Sequence, residues 1–585
     1  MKVKYILLGV TVAGFITSCD VTDKTPIDSF TDESYWTKVS DLEYYANGLY
    51  DNLDKPGVDK DNTSDNCVIT NPDTYLFNEK LIPSTTDKTK WIWSNIRACN
   101  FFLQRYQTVE GTEDEINHYV AEVRFFRALD YFDKIKAYGD VPWYDKDLQT
   151  SDKEELYKAR DSRDFVLGKI IEDLEYAVQW LPDYGKAVSG RLNKDAARTQ
   201  LARVCLHYGT YKKYHSESGS PTSEELLQKA VDVTNTIMAT GNYAIVQGSD
   251  AGSGQMAYEG YPLHYANQFI QEDLTTNKEC ILPRIYLDGV LMHETGRQAG
   301  SLGTGLSKDF VESFLCKDGK PISVSSLYKG DGTLEDEFVD RDPRIYQIID
   351  NKHKPYEIVN GERQTSVYPN CDASSAVTGY PCVKYHSPLL LQAEANHTTY
   401  DWFVYRYAEV LLINAEANAE LGKCTQEVLD KTINLLRDRV EMAHLTTNPV
   451  EDPAAINYGY GVSPLIYEIR RERRIELISE GFRLDDLKRW NGMKVFENPK
   501  TMFGIRITDP VRELYSVGNV TFGDGDSDRP IVEYEGKTYL MQYPSRGLYP
   551  AGRKWTANDK RFFEPIPTNE LTLNPALKQN SGWEQ

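Results

Sequence analysis

The chain has 585 residues, of which 40% are hydrophobic and 26% are charged. This composition is typical of a globular protein and excludes disorder, collagen or a coiled coil as descriptions of the whole chain. The 66 basic and 88 acidic residues give a formal net charge of −22, which argues against a protein that binds nucleic acid by neutralising phosphates. Tyrosine, at 39 residues, outnumbers phenylalanine (20) and tryptophan (9) together, and the nine cysteines are an odd number, which leaves one without an internal partner.

The N-terminus has the pattern of an exported lipoprotein. Two lysines precede an uncharged apolar run, Tyr5–Phe15, which matches a secretory signal peptide and is shorter than the ~20 residues of a bilayer-spanning helix. The motif Ile-Thr-Ser-Cys that follows resembles the lipobox of bacterial lipoproteins, in which the cysteine is acylated. We therefore predict a signal peptide over residues 1–18, lipidation of Cys19 and a lipid-anchored tether over 19–36. An ordinary signal peptide followed by an incidental thiol is the alternative.

Helical periodicity dominates two regions of the chain. Apolar residues recur there at spacings of three and four, which places them on one face of a helix. The predicted helices cover residues 121–135, 167–181, 197–211, 224–239, 403–421 and 425–443. Asn193 and Thr425 are the expected N-caps of the third and the last, because both side chains accept hydrogen bonds from helix N-termini. Such helix pairs resemble tetratricopeptide (TPR) units, and a non-repetitive helical domain is the alternative.

Two long segments, residues 245–400 and 496–585, are irregular and rich in Gly, Tyr, Asn and Asp. They predict loops, turns and a few short strands. Long irregular segments of a compact protein usually carry function. Because no Gly/Ser-rich or Pro-rich linker divides the chain, we predict one mainly α-helical unit over residues 37–585. Its N-terminal helical part covers 37–244, and its C-terminal part, with the irregular loops, covers 245–585.

An acidic run near the C-terminus is the one candidate metal site. Its potential ligands are Asp524, Asp526, Asp528 and Glu535, which follow the acidic spacing of an EF-hand calcium loop. Arg529 occupies the position at which that loop needs glycine for its sharp turn. A solvated acidic hairpin turn is therefore the favoured interpretation, with calcium as the alternative, and no other cofactor is expected.

Four segments carry distinctive motifs. They are Ala121–Phe132 with Tyr138–Pro142, Tyr405–Ala417, Arg471–Trp490, and Pro565–Asn580. In this order, after a lipoprotein signal, they closely resemble the SusD/RagB family of surface lipoproteins of the Bacteroidota. The resemblance covers essentially the whole mature chain.

The resemblance implies both a fold and a function. The fold is α-helical, with four TPR-like helix pairs packed beside an irregular ligand-binding part. The function is the binding of glycans, usually oligosaccharides, on the outer face of the outer membrane, where the protein covers a SusC-like TonB-dependent transporter and passes nutrient to it. The family catalyses no reaction, so we expect no enzymatic activity, no nucleic-acid partner and contact with the membrane through the lipid only.

The third motif contains seven basic and five acidic residues within 470–489. Glu472, Glu476 and Glu480 are spaced to lie along one stripe of a helix, with arginines interleaved. We predict that these charges form an ion-pair network between helices, which fixes geometry more than it stabilises. The most recognisable residues of the chain are thus not expected to bind the ligand.

Two loops are the candidate ligand-binding regions that the resemblance implies. The candidates in the first loop are Asp65, Asn66, Asn71, Asp73 and Tyr75. The candidates in the second loop, after a strand motif at Glu279–Leu282, are Tyr286, His293 and Arg297. The family's starch-binding founder carries tryptophan in the first loop and this chain has none there, which argues against starch. A third cluster, Tyr258, Tyr261 and Tyr265, is compatible with either a sugar platform or core packing.

Two other functions are compatible with the sequence alone. A surface glycoside hydrolase needs two carboxylates at a defined separation, and 88 acidic residues make some such pair inevitable, so acid abundance is no evidence. The HExxH, GxSxG and GxxxxGK[ST] motifs are absent from the sequence. A TPR-type scaffold would bind a peptide in a helical groove, which would leave the tyrosine-rich segments without a role.

Overall fold

The computed structural model of the chain describes residues 35–248, 256–364, 366–515, 520–525, 527–543 and 552–584. The predicted signal peptide, Cys19 and nearly all of the tether lie outside these residues, and those assignments stay predictions. Within the described ranges, no helix is both long enough and apolar enough to span a bilayer. The eight cysteines from Cys67 to Cys424 are all free thiols.

The fold is mainly helical, as predicted. Its α-helices are α1 Val39–Asn47, α2 Ser94–Leu103, α3 Glu113–Tyr138, α4 Lys153–Leu156, α5 Arg163–Trp180, α6 Lys194–Tyr214, α7 Ser223–Ala239, α8 His264–Asn267, α9 Thr295–Gln298, α10 Lys308–Ser313, α11 Leu334–Phe338, α12 Arg344–Ile348, α13 Tyr407–Glu420, α14 Gln426–Asp430, α15 Ile433–Arg439, α16 Pro464–Glu476, α17 Arg483–Arg489, α18 Asp509–Leu514 and α19 Thr568–Leu573.

The strands are short and pair antiparallel. They are β1 Cys67–Val68, β2 Cys280–Arg284, β3 Gly305–Leu306, β4 Ile358–Val359, β5 Glu362–Arg363, β6 Trp402–Arg406, β7 Phe503–Arg506, β8 Ile531–Tyr534 and β9 Lys537–Met541. β1 pairs with β3, β2 with β6 and β4 with β5, while β9 lies between β7 and β8. No strand in the described residues is longer than five residues, which agrees with the irregular texture of the C-terminal half.

The long helices pack in sequence as neighbouring pairs. α3 packs on α5, α5 on α6, and α6 on α7, while α13 contacts both α7 and α16. Thr112 and Thr222 begin α3 and α7 with capping boxes, in which each threonine oxygen accepts from a backbone N–H three residues later. Asn193 caps α6 as predicted, with its Oδ1 accepting from the backbone N–H of Ala196 at 2.9 Å. The four helices predicted in the N-terminal part are therefore confirmed.

The two helices predicted later in the chain differ from the structure. Residues 402–406 form β6, because their aromatic and β-branched side chains suit a strand that pairs with β2. α13 therefore begins at Tyr407 instead of residue 403. The stretch 425–443 divides into α14 and α15, since Thr432, with φ −131° and ψ −92°, leaves the helical conformation. Thr425 caps α14 as predicted, accepting from the backbone N–H of Val428.

A buried ion-pair network joins the helical part to the irregular part. The carboxylate of Glu476, at the end of α16, accepts hydrogen bonds from Arg344 (2.9 Å), Arg406 (2.8 Å) and Arg439 (2.6 Å). Burial opposes its ionisation, yet the three guanidinium groups hold the pKa of Glu476 well below its usual range. Adjacent ion pairs are Glu472–Arg344, Glu472–Arg437, Glu480–Lys384 and Glu480–Arg406.

The predicted structural role of the third motif is thus confirmed, with one difference. α16 ends at Glu476, so Glu480 reaches the network from the turn after the helix rather than from the same helical stripe. Ser479 (φ +59°) and Gly481 (φ +83°) flank Glu480 in left-handed conformations, which turn the chain at this point. A local helical pattern could not reveal this turn.

Candidate functional site

Asp65 and Asn66, the first two ligand candidates, are parts of the buried ion-pair network. The Asp65 carboxylate accepts two hydrogen bonds of 2.8 Å from Arg483 and pairs with Arg474 at 3.1 Å. Although burial acts against it, these two arginines lower the pKa of Asp65 to about 2. Asn66 donates to Asp61 (2.9 Å) and accepts from Arg474 (2.7 Å). With all these groups inside the protein, Asp65 and Asn66 have a structural role, and their burial disfavours the predicted contact with ligand.

Of the other three candidates in the first loop, Asn71 is the exposed one. Asp73 closes a turn, because its Oδ1 accepts from the backbone N–H of Tyr75 at 2.8 Å and its Oδ2 accepts from Thr63 at 2.6 Å. The Tyr75 ring is buried and its hydroxyl donates to the carbonyl oxygen of Arg561 at 2.6 Å. Asp73 and Tyr75 therefore shape the loop, and Asn71 remains available at its surface.

The second loop also divides into packed and exposed candidates. Tyr286 is buried, and the Nε2 of His293 donates to the carbonyl oxygen of Tyr400 at 2.9 Å. Burial lowers the pKa of His293 to about 4, so its ring is neutral at physiological pH. Tyr286 is thus a core residue and His293 is half-buried beside it, a placement that disfavours the predicted contact of either with ligand. Arg297 is half exposed and its Nε donates to Glu294 at 2.5 Å.

The structure brings the two loops together through the short sheet of β1 and β3. Cys67 lies opposite Leu306 and Val68 opposite Gly305. Gly303 has a φ of +69°, and a Cβ added to it would lie 2.5 Å from Thr70 Oγ1, so the close approach of the loops requires glycine here.

Exposed side chains surround this contact, and we call them the loop junction. They are Thr70, Asn71, Ser301, Leu302, Asp372 and Ser374. Hydrogen bonds from Ser374 lower the pKa of Asp372, so this carboxylate is charged at neutral pH. Hydroxyl, amide and carboxylate groups are the partners that sugar hydroxyls need for hydrogen bonding.

Tyr258 and Tyr261 form a second surface, the tyrosine platform, with Glu335, His353 and Arg363. The guanidinium carbon of Arg363 lies 3.8 Å from the centre of the Tyr258 ring. Tyr261 stacks on His353 with ring centres 3.6 Å apart and an interplanar angle of 7°. His353 Nε2 lies 3.0 Å from Glu335. Both tyrosines are only partly buried, which leaves aromatic surface with a charged rim.

A small cleft of about 130 Å³ lies beside the platform. Its lining includes Glu335, Asn351, Lys352, Tyr368 and Leu514. Lys352 pairs with Glu335 at 2.9 Å, so the rim of the cleft carries both signs of charge. An aromatic ring next to amide, carboxylate and ammonium groups matches the apolar face and hydroxyl rim of a sugar.

The cleft and the loop junction share one stretch of chain, residues 368–374. Tyr368 lines the cleft at one end of this stretch, and Ser374 belongs to the loop junction at the other. Six residue steps span at most about 22 Å when fully extended. One oligosaccharide of several units could therefore contact both surfaces.

Sequence reasoning missed the partners of the tyrosine platform. Tyr265 is fully buried and packs in the core, whereas Tyr258 and Tyr261 are partly exposed, so core packing holds for Tyr265 and the sugar-platform role stays a prediction for the other two. Glu335, His353 and Arg363 lie 74 or more residues from Tyr261 in sequence. No local spacing connects residues so far apart, and a correlated pattern among homologues would have been the signal to find them.

The calcium prediction is neither supported nor excluded. Asp526 lies outside the described residues, while Asp528 accepts from the backbone N–H of Gly525 at 3.0 Å within its own turn. Glu535 lies in the tight turn between β8 and β9, and a strand follows the acidic run where an EF-hand has a helix. Among the residues that the structure describes, no group of three or more His, Cys, Asp or Glu side chains could hold a metal ion.

Comparisons with known proteins agree with this fold. A sequence profile described as "SusD family" matches residues 248–583, and one described as "Starch-binding associating with outer membrane" matches residues 25–206. The chain is 23% identical to "SusD-like protein P2" of Formosa agariphila over 526 residues, covering 85% of this chain and 92% of that protein.

Solved structures extend the likeness. A SusD-like carbohydrate-binding protein of Bacteroides fragilis is 22% identical with a TM-score of 0.67, covering 93% of this chain and 100% of that one. A laminarin-binding SusD-like protein is 17% identical with a TM-score of 0.58, covering 94% of this chain and 100% of that one. Because the first profile spans more than half of the chain and the fold agrees throughout, this protein belongs to the SusD family.

Proposed function

We propose that the protein binds an oligosaccharide at the cell surface and passes it, unchanged, to a SusC-like TonB-dependent transporter in the outer membrane. Family membership supports this function, as do two structural relatives that are described as binding carbohydrate and laminarin. The profile that matches the N-terminal part describes association with the outer membrane. The predicted lipid on Cys19 would hold the protein there, facing the cell exterior.

The observation that carries the proposal is the tyrosine platform beside its charged cleft. Tyr258 and Tyr261 offer ring surface for the C–H faces of a sugar, and Glu335, Lys352 and Arg363 offer charged groups to its hydroxyls. The loop junction adds neutral hydroxyl and amide groups within reach of the same ligand. Two binding surfaces of different chemistry suit a chain of several sugar units better than a single small molecule.

A direct test uses purified protein and a panel of soluble oligosaccharides in isothermal titration calorimetry. We expect at least one glycan to bind, and the Tyr258→Ala, Tyr261→Ala double variant to bind it at least about tenfold more weakly, because stacked aromatic contacts are lost. Tyr44→Ala is the matched control, since this tyrosine is exposed on α1 in the helical part. Equal affinity of the double variant would remove the platform from the binding site.

The same incubations distinguish binding from hydrolysis. Chromatography of the recovered glycan should show an unchanged chain length. Shortened products would replace the proposal with a surface glycoside hydrolase. Binding of peptides in place of glycans would favour the TPR-type scaffold.

A further inference from the structure

Lys488 is an exception among the basic residues of the third motif. The other six basic residues of the stretch 470–489 are in buried ion pairs. These pairs are Arg470–Glu420, Arg471–Asp452, Arg473–Asp486, Arg474–Asp65, Arg483–Asp65 and Arg489–Glu416. Within the described residues, the Lys488 ammonium forms no ion pair and donates no hydrogen bond, although only 9% of the residue is exposed.

The remaining buried lysines of the described ranges show what Lys488 lacks. Lys134 donates to the carbonyl oxygen of Lys90, Lys212 to Asp164, Lys308 to Glu337, Lys354 to the carbonyl oxygen of Gln347, and Lys384 to Glu480. The Lys488 ammonium lies over the Tyr75 ring, whose centre is 5.1 Å away. A cation over an aromatic face is only weakly stabilised, whereas an unpaired buried charge is costly.

Lys488 lines a large cleft between α3, α6, α17 and β6, which we call the helical cleft. Its volume is about 540 Å³, within the range of about 300–1,000 Å³ for ligand pockets. The half-buried Phe403 and Phe482 supply aromatic surface to its lining. Exposed side chains such as Lys90 and Asp133 belong to the same lining, so the cleft opens to solvent.

The charges of the helical cleft favour one additional negative group. Its lining holds eight lysine or arginine and seven aspartate or glutamate side chains, and the buried arginines among them have direct carboxylate partners, such as Glu476 for Arg406 and Glu416 for Arg489. The two carboxylates that act electrostatically on Lys488 have other partners: Glu564 pairs with Lys80, and Asp485 with Lys136 at 2.7 Å. Lys488 is therefore the cation left without a counter-charge.

We propose that the helical cleft is a binding site for an acidic sugar, a hexuronate, and that Lys488 pairs with its carboxylate. A carboxylate would give the Lys488 ammonium the direct counter-charge that the described residues do not supply. The aromatic side chains and the many polar groups of the lining suit the sugar ring and its hydroxyls. Burial lowers the pKa of Lys488, and a bound carboxylate would oppose this effect.

This site is separate from the tyrosine platform and from the loop junction. Its residues come from the helical part and from the third motif, which sequence reasoning treated as purely structural. The hexuronate site thus goes beyond the proposed oligosaccharide binding at the tyrosine platform. Failure of one of these two proposals would leave the other intact.

The test is calorimetric titration of the full chain with glucuronate, glucose and acetate at one ionic strength. We expect glucuronate to bind more tightly than glucose or acetate, and the Lys488→Met variant to lose at least about tenfold in glucuronate affinity. Lys488→Met keeps the aliphatic volume and removes an unpaired buried charge, so thermal unfolding should show a fold at least as stable as the wild type. Lys186→Met is the control, because that lysine is exposed on the surface.

A second variant blocks the cleft without touching Lys488. Leu129 lines the cleft and is half-buried, so Leu129→Trp should fill space there and weaken glucuronate binding as well. The Tyr258→Ala, Tyr261→Ala variant should bind glucuronate normally. The proposal is overturned if the wild type does not bind glucuronate, if Lys488→Met binds it as tightly as the wild type, or if acetate binds equally well, which would mean an adventitious anion only.

Discussion

Arg483 donates two hydrogen bonds of 2.8 Å to the carboxylate of Asp65, from a position 418 residues later in the chain. Arg474 is a further partner of the same carboxylate at 3.1 Å, and all three side chains are buried. These contacts attach the first irregular loop to α16 and α17, immediately before β1. The position of the loop junction therefore depends on buried ion pairs.

Asp65→Asn should destabilise the protein strongly. The change leaves two buried guanidinium groups without their counter-charge, for which we expect a loss of about 3–5 kcal/mol in the free energy of unfolding. Urea titration followed by circular dichroism at neutral pH measures it. Asp183→Asn is a matched control, because its pair with Lys186 is exposed and should contribute less than about 1 kcal/mol. Similar effects of the two changes would contradict a central role for Asp65.

Acid should weaken the wild type more than the Asp65→Asn variant. The pKa of Asp65 is lowered to about 2, whereas an aspartate of the unfolded chain titrates near 3.9. As pH falls below about 4, the unfolded chain binds this proton first, so the stability that ionised Asp65 supplies is lost progressively toward pH 2. Unfolding measured between pH 5 and 2.5 should therefore show a shallower slope for the variant. Parallel slopes would mean that Asp65 is not the titrating group.

Asp350→Asn should stabilise the protein at neutral pH. Burial raises the pKa of Asp350 to about 6 in the folded protein. As pH rises above about 4, the unfolded chain therefore releases this proton before the folded protein does. Stability supplied by the protonated group is then lost between pH 4 and 6. We expect the variant to gain about 1–3 kcal/mol at pH 7 and little at pH 4. A variant that is less stable at both pH values would contradict this assignment.

Gly303→Ala should disturb the loop junction specifically. Gly303 (φ +69°) and Gly361 (φ +79°) are both left-handed, but an added Cβ would lie 2.5 Å from Thr70 Oγ1 at Gly303 and would meet nothing within 4 Å at Gly361. Gly361→Ala should therefore show the conformational cost alone, about 1–2 kcal/mol. Gly303→Ala should cost more in denaturant titration and should also weaken glycan binding. Identical stability and affinity of the two variants would contradict a tight contact between the loops.

Cys19→Ala should release the protein from membranes. Acyl chains contribute about 0.8 kcal/mol per buried methylene, and the strongly acidic chain has no electrostatic attraction to anionic lipid. Fractionation of cells that lack the transporter should place the variant in the soluble fraction and the wild type in the outer membrane. A variant that still sediments with the membrane would show that lipidation is not the main anchor.

Sequence patterns predicted the local elements of the fold well and the burial of the candidate loop residues poorly. The helices of the N-terminal part follow from spacing of apolar residues, and Asn193 caps α6 as its side chain chemistry suggests. β6 was missed because its strand character depends on pairing with β2, about 120 residues earlier in the chain. Tyr286 and His293 looked like loop residues, but tertiary packing buries Tyr286 and half-buries His293.

The sequence by itself determined the helical scaffold and the family, because helix periodicity, caps and motifs are properties of neighbouring residues. The charge of −22 and the tyrosine excess were equally visible, yet neither identified a site. Only the tertiary structure decided which charges have partners. It pairs Asp65 with arginines more than 400 residues away and leaves Lys488 unpaired, since each outcome depends on atoms from distant segments that meet only when the chain folds.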